Sequence, residues 1–383
     1  MMTNRPATSH LNNATQKGSP HRGEPHSDQV LFEKMHSLHN YIIVLYAVNP
    51  KQWDCESMAW KQNIQQLCSP WHGLGAHQVM VLFSHPDGMP DNALLRIWNA
   101  DGSEAGACGN GTRCVFYGLW NQQCRDHDHV GASCPVQSLQ TPAGWVHGHW
   151  ESDRMVTVTQ GRVVLGRIRQ CAKSVNSQDS WQETHNLWIT LPSGEKRVAW
   201  CADVGNPHGV IVGPPPKDLP LHWQAEHEKY PLGVNISFVW FAPHESSSPH
   251  DITVFSDHCP YRLYPSQDHW RVATWERGVG LTPACASGSC ATAAVLHALG
   301  CDDQWASVWT SLSTDMPRLP EATSSLWKPP YCFSLPGGDI ILHLKEGQWS
   351  HSAKVVSLAQ GLWTWPHPTP TALKATQPPL SNL

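Results

Sequence analysis

The sequence predicts an α/β protein of the α+β type, built from two equivalent halves. Three observations carry this. Short β-like runs recur along the chain while only three stretches read as helices. Two cysteine units, Cys108 in NADGSEAGACGNGTRCV and Cys285 in WERGVGLTPACASGSCATAAV, share one plan: a β-run, a glycine-containing acidic segment, a cysteine, small residues and an apolar helix. A length of 383 residues is enough for two domains that each bury a core.

Residues 1–29 are polar and aperiodic and read as a disordered extension. Tyr41–Val48 is rich in β-branched and aromatic residues and reads as a strand, followed by a helix over Gln52–Leu67. Gln78–Phe83 and Leu94–Trp98 are further apolar strands, and the turn at Cys108 opens a helix over Asn110–Gln122. Strands are expected at Met155–Thr159, Arg162–Ile168, Leu187–Thr190, Arg197–Asp203, Gly209–Val212 and Ile236–Phe241. Asp251–Phe255, Tyr261–Leu263 and Arg271–Thr274 are also β-like, although the proline- and aromatic-rich segment 257–270 reads as loop. The third helix is Gly288–Leu299, and Ile340–Leu344 and Ala353–Leu358 complete the strands. The expected organisation is an N-terminal domain over 30–150, a C-terminal domain over 151–332, a return segment 333–365 packing with the N-terminal domain, and a Pro/Thr-rich tail over 366–383.

Composition narrows the function. No apolar run reaches the length of a membrane span, and the N-terminus lacks the apolar stretch of a secretory signal, so a soluble cytoplasmic protein without a membrane partner is expected. A net charge of −5 with no basic stripe argues against nucleic acid. The 13 cysteines are odd in number and contain no C-x-x-C, and the 24 histidines contain no H-E-x-x-H, so no metal site is expected. The 20 tryptophans show no periodicity and are read as core and surface residues.

Cys108 and Cys285 each stand just ahead of a helix N-terminus. Unpaired backbone N–H groups and the positive end of the dipole favour thiolate there, and the same N–H groups can hold a carboxylate. Facing each other, two such units would place one base and one acid across a bound amino or hydroxy acid, which is the equipment for inverting a carbon centre. Cys114 and Cys290 are expected to point into packing.

The same segments resemble the diaminopimelate epimerase family. The matching text is NADGSEAGACGNGTRC (99–114), VGNPHGV (204–210), Asn235 in VNISFV, WERGVGLTPACASGSCA (275–291) and LPGGD (335–339), with weaker matches at KMHSLHNYIIV (34–44) and GLGAHQ (73–78). The resemblance implies two pseudo-symmetric domains, each a curved, barrel-like sheet around a central helix, with the active site in the cleft between them. It implies an isomerase that needs no cofactor, interconverts L,L- and meso-diaminopimelate in lysine and peptidoglycan-precursor synthesis, and pairs as a homodimer. By resemblance, Cys108 and Cys285 exchange the α-proton, and His208 and Glu276 tune them, with Glu276 also serving the distal ammonium. The backbone N–H groups of Gly109, Asn110, Ala286 and Ser287 would take the reacting carboxylate. Asn40, Gln78, Asn99, Asn206, Asn235 and Arg277 would bind the rest of the substrate, Arg277 as a fork for the distal carboxylate. Buried without a ligand, this polar set would be costly, which favours a two-ended zwitterion.

The chain departs from the family pattern at several points. Ser37, His39 and Tyr41 surround Asn40 where the family has glycines and Asp-Phe, and His77 replaces an acidic residue. Leu281 replaces a glutamate, Ala286-Ser287-Gly288 replaces Gly-Thr-Gly, and His351-Ser352-Ala353 replaces a Gly-Pro-Ala turn. A glycine lost from a turn with positive φ costs about 1 kcal/mol or more. Asp101, Ser103 and Glu104 are read as loop and capping residues and Arg113 as a structural donor between domains. Three alternatives stay open: a histidine or hydroxyproline racemase of the same type, a non-catalytic amino-acid-binding relative, and a Cys108–Cys285 redox switch.

Overall fold

A computed structural model describes residues 29–48, 54–83, 93–125, 137–151, 154–170, 180–183, 186–227, 230–242, 269–301 and 328–364. The expected N-terminal extension apart from Gln29, which opens a strand, the proline-rich tail, Asp251–Phe255, Tyr261–Leu263 and nearly all of the 257–270 loop fall outside the described residues. Within them the first half contains β1 (Gln29–Ser37), β2 (Asn40–Val48), α1 (Met58–Cys68), β3 (Gln78–Phe83) and β4 (Ala93–Asn99). It continues with β5 (Glu104–Ala105), α2 (Gly109–Arg125), β6 (Gln137–Thr141), β7 (Gly144–Trp150) and β8 (Met155–Gly161). Next come β9 (Val164–Leu165), β10 (Arg167–Gln170), β11 (Ser180–Glu183), β12 (Asn186–Thr190), β13 (Lys196–Asp203) and β14 (Pro207–Val212). The chain then forms β15 (Ala225–His227), β16 (Tyr230–Ala242), β17 (His269–Glu276), β18 (Gly280–Thr282) and α3 (Ala286–Cys301). It finishes with β19 (Tyr331–Leu335), β20 (Gly338–Lys345) and β21 (Gln348–Thr364).

Pairing closes two rings. The first runs β1–β2–β3–β4–β6–β7–β8–β21 and returns to β1, with β2–β3 and β4–β6 parallel and every other pair antiparallel. The second runs β13–β14–β16–β17–β19–β20–β21–β8 and closes where the β8 strand continues into β9 on β13. Its parallel pairs, β14–β16 and β17–β19, fall at the same places in the order. The halves are therefore equivalent strand by strand. Closure leaves no open edge in either ring.

The alternation along each strand explains the layers. On β2, Ile42, Val44 and Tyr46 join the cluster around α2, while Ile43 and Leu45 join the cluster beneath α1. On β14, Val210 and Val212 face α3, and Ile211 faces the outer cluster. Each parallel step needs a crossover, and α2 and α3 supply one per barrel and fill its interior. Val115, Phe116 and Tyr117 are the buried body of α2. The small residues of α3, from Cys290 through Ala294, let it fit a narrow barrel, which is why the helix is apolar on all sides rather than on one. Cys114 and Cys290 are fully buried in these cores, as expected. Helix α1 begins at Met58, where the Ser57 hydroxyl accepts the Trp60 N–H at 3.1 Å.

Two features were not anticipated. His351 and Ser352, which stand where the family has a turn, lie with Ala353 inside the long strand β21, paired to both β20 and β8. The β1–β2 hairpin turn places Leu38 at φ 53° and His39 at φ 60°, so non-glycine residues do hold the left-handed conformation there. Leu38 is retained because its side chain is buried in the core of the other half, which offsets the backbone strain. No helix among the described residues is long and apolar enough to cross a membrane.

Candidate active site

Cys108 and Cys285 occupy the same local position in the two halves. Cys108 follows the β4–β5 hairpin and precedes α2; Cys285 follows the β17–β18 hairpin and precedes α3. Each sulfur acts as the helix N-cap. Gly111 N–H donates to Cys108 Sγ at 3.4 Å, and Gly288 N–H donates to Cys285 Sγ at 3.4 Å. The hydroxyls of Thr112 and Ser289 donate back to the carbonyls of Cys108 and Cys285, both at 2.9 Å. A cap position usually held by Ser, Thr, Asp or Asn is here given to a thiol. The two helix starts touch: a Cβ on Gly109 would lie 2.7 Å from the Ala286 methyl and 2.7 Å from His351 Nε2, so only glycine fits. The first-turn N–H groups of both helices thus converge on one place.

The two thiols differ in their surroundings. Burial pushes Cys108 up to about 11, opposed by the Gly111 N–H and the Arg113 guanidinium and reinforced by Glu276. Burial also raises Cys285 well above the usual thiol range, with the Glu276 carboxylate acting in the same direction. Glu276 accepts the Thr282 hydroxyl at 2.6 Å and is also hydrogen-bonded to the Cys285 thiol. Its own carboxyl is raised by burial. This one carboxylate bears on both sulfurs.

The remaining predicted residues fall into small networks. Asn40 Nδ2 lies 3.7 Å from Cys108 Sγ. Gln78 donates to Asn99 Oδ1 at 2.9 Å, and Asn99 donates to Ser103 Oγ at 3.0 Å. Asp101 accepts the N–H and the hydroxyl of Ser103, the Asx-type turn expected of that loop. Glu104 instead pairs with Arg96 at 2.7 Å. In the second half, His208 and Asn235 are neighbours on the parallel β14–β16 pair, and His208 Nε2 lies 3.2 Å from Asn206 Oδ1. Asn235 accepts the Arg277 backbone N–H at 2.8 Å, and the Ser287 hydroxyl is 3.4 Å from Cys285 Sγ. Gln78 Oε1 and His208 Nδ1 are buried and have no hydrogen-bond partner among the described residues.

The structure corrects the expectation that this polar set is buried and orphaned. Arg277 is exposed, because it follows the last residue of β17 in a turn with Gly278 and Gly280 at positive φ. Asn110 turns its amide away from the cleft, donating to Ala284 O at 3.0 Å and accepting from Arg113. Its backbone N–H is hydrogen-bonded to the Cys108 sulfur.

Arg113, read from the sequence as a structural donor between domains, has partners that sequence reasoning did not identify. Arg113 is fully buried, donates to Ser37 Oγ at 2.9 Å, and is hydrogen-bonded to His351 Nδ1 and Asn110 Oδ1. Its partners come from β1, β21 and α2, the last tied through Asn110 to the residue before Cys285. Each partner is neutral, since burial and the Arg113 charge push His351 well below the imidazole range. No local motif could have revealed His351, which meets α2 only through the return of β21.

The buried imidazoles give stability a pH dependence of known sign. Burial pulls His208 down to about 3 in the folded chain, whereas the unfolded ring titrates near 6.5. Below pH of about 6.5 the unfolded state therefore binds a proton that the folded state does not, and each further unit of acidification costs about 1.4 kcal/mol. Above that pH this ring contributes no slope. Urea midpoints are expected to fall between pH 7 and pH 5, and His208→Gln should flatten the fall by about one proton.

A family model described as diaminopimelate epimerase matches residues 32–166. A diaminopimelate epimerase of Caulobacter sp. (strain K31) is 29% identical over 291 residues, covering 72% of this chain and 86% of that protein. One of Bartonella bacilliformis is 30% identical over 278 residues, covering 70% of this chain and 80% of that protein. Among solved structures, a hydroxyproline epimerase of Agrobacterium vitis with bound trans-4-hydroxy-L-proline is similar at a TM-score of 0.51 and 13% identity, over 88% of this chain and 92% of that one. A probable proline racemase of Agrobacterium radiobacter K84 also reaches a TM-score of 0.51 at 13% identity, over 87% and 92%. Both share the fold.

Proposed function

Because this chain belongs to the diaminopimelate epimerase family and is an isomerase, we propose that it interconverts L,L- and meso-diaminopimelate by proton transfer between Cys108 and Cys285. The observation that carries the proposal is the pair of equivalent sulfur-capped helices whose first turns meet. A substrate carboxylate seated on the N–H groups of Gly109, Asn110, Ala286 and Ser287 would put its α-carbon between the two sulfurs. The same donors would take up the charge that develops as the α-proton leaves.

Glu276 assigns the resting protonation. By accepting the Cys285 S–H it holds that sulfur as the acid, which leaves Cys108 as the base. In the forward direction the Cys108 thiolate takes the α-proton, and Cys285 delivers its own proton to the opposite face; the reverse reaction exchanges the roles. His208 stays neutral and orients Asn206. Gln78 Oε1 and His208 Nδ1 offer buried acceptors for ammonium groups. Asn99, Asn206, Asn235 and Arg277 form the distal grip, and Arg277, being exposed, closes onto the distal carboxylate from the rim.

The test is α-deuterium uptake in deuterium oxide under reducing conditions. L,L-diaminopimelate, meso-diaminopimelate, trans-4-hydroxy-L-proline and L-histidine are offered separately. Exchange with interconversion is expected in the two diaminopimelate isomers alone. Exchange confined to hydroxyproline or histidine would overturn the substrate assignment and leave the two-thiol chemistry standing.

A further inference from the structure

Two side chains, Asn40 and His77, lead away from Cys108 in succession. Asn40 Nδ2 is 3.7 Å from Cys108 Sγ, and Asn40 Oδ1 is 3.2 Å from His77 Nδ1. The same His77 nitrogen lies 3.3 Å from the Tyr41 backbone N–H. These contacts make opposite demands. If Nδ1 accepts from Tyr41 it carries no proton, and it then needs the NH2 of Asn40 rather than its oxygen. If Nδ1 carries a proton it donates to Asn40 Oδ1 and gives up Tyr41. An amide has one oxygen and one NH2, so whichever end faces His77, the other end faces Cys108.

We propose that His77 is a positioning residue which, through the orientation of the Asn40 amide, sets the protonation preference of the Cys108 sulfur. With Nδ1 protonated, the Asn40 NH2 points at Cys108 and stabilises thiolate. With Nδ1 bare, the Asn40 carbonyl points at Cys108 and accepts an S–H, stabilising thiol. The proposal rests on Cys108 being one of the two exchanging thiols. When Cys108 takes up the α-proton, the amide turns end for end and the His77 ring changes tautomer, Nδ1 releasing its proton to solvent, to which His77 is exposed, as Nε2 takes one up. On the return step this exchange reverses, so protons balance over a cycle.

The surroundings allow this titration. His77 is faced by Lys34 from β1, whose ammonium donates to Leu74 O at 2.6 Å, and by the Tyr41 ring edge-on at 5.6 Å. His36 and His39 stack on each other at 4.9 Å, with ring centroids 5.4 and 6.5 Å from Tyr41. Cys108 is faced by Glu276 and Arg113. Burial and the Lys34 charge hold His77 below the usual imidazole range, so the ring is mostly neutral near pH 7.

The experiment reads the sulfur directly, without substrate. Iodoacetamide labelling of Cys108 is followed from pH 5 to 10 by peptide mass spectrometry in the full chain, with thermal melts as a fold control. The wild-type profile is expected to show two inflections, one from the thiol and one below pH of about 6.5 from His77. His77→Phe, which keeps a ring but no nitrogen, should remove the lower inflection. His77→Asp, an acceptor only, should lock the amide carbonyl toward Cys108 and slow labelling at pH 7.5 by about tenfold. Both variants giving the wild-type profile would overturn the coupling. A chain that labels as expected but does not exchange diaminopimelate protons would keep the coupling and lose the substrate reading, so the two failures are distinct.

Discussion

Replacing either capping cysteine by serine is expected to lower α-proton exchange by at least about 10³-fold without unfolding the protein. The serine hydroxyl can accept the same N-cap bond from Gly111 or Gly288 that the sulfur accepts now, so the helix start is kept. What is lost is acidity. A hydroxyl beside a buried carboxylate cannot ionise to any useful extent, whereas a thiol raised to about 11 by burial can be lowered again once a substrate carboxylate and ammonium bring their own charges. Single-turnover deuterium exchange with each variant checks this, with circular dichroism as the fold control. Steady turnover by Cys108→Ser or Cys285→Ser would rule out the two-thiol mechanism.

The largest stability effect is expected at Arg113. Arg113→Met keeps length and apolar volume but removes donors to Ser37, His351 and Asn110 at once. Buried acceptors left without partners cost about 1–3 kcal/mol each, so a loss of about 3 kcal/mol or more in urea unfolding is expected. The effect should not be additive with His351→Leu. That change removes one of the stranded acceptors, and the double variant should recover about 1 kcal/mol relative to the sum of the single losses. Simple additivity would mean that Arg113 and His351 do not act as a unit.

The sequence made the chemistry legible wherever the signal was local. Glycine-flanked cysteines before apolar helices were readable because capping depends on residues within four positions. Gln78–Phe83 was readable because an unbroken apolar run follows Gln78 and a polar turn bounds it. Strand β7, GWVHGHW, was not anticipated: glycines and histidines mask its alternation, and its outward tryptophan Trp145 is exposed. Strand β19 was hidden by the prolines before it. Asn40, His77 and Cys108, like Arg113 and His351, meet only after barrel closure brings together residues far apart in the chain, and nothing in a linear pattern encodes that meeting. The two equivalent halves were inferred from the cysteine units; their strand-by-strand match needed the pairing.

Strand β21 belongs to both rings, bonding to β20 and β8 with its first part and to β1 with its last, where Thr364 faces Gln29. Each barrel thus takes its eighth strand from the other half of the chain. The consequence is temporal. During synthesis the first barrel has every strand but one long before the chain ends, and it stays open along β1 and β8 until residues near 364 have left the ribosome. Contacts of such long sequence separation make folding slow, and they make it a single event in which neither half reaches its native state before the other.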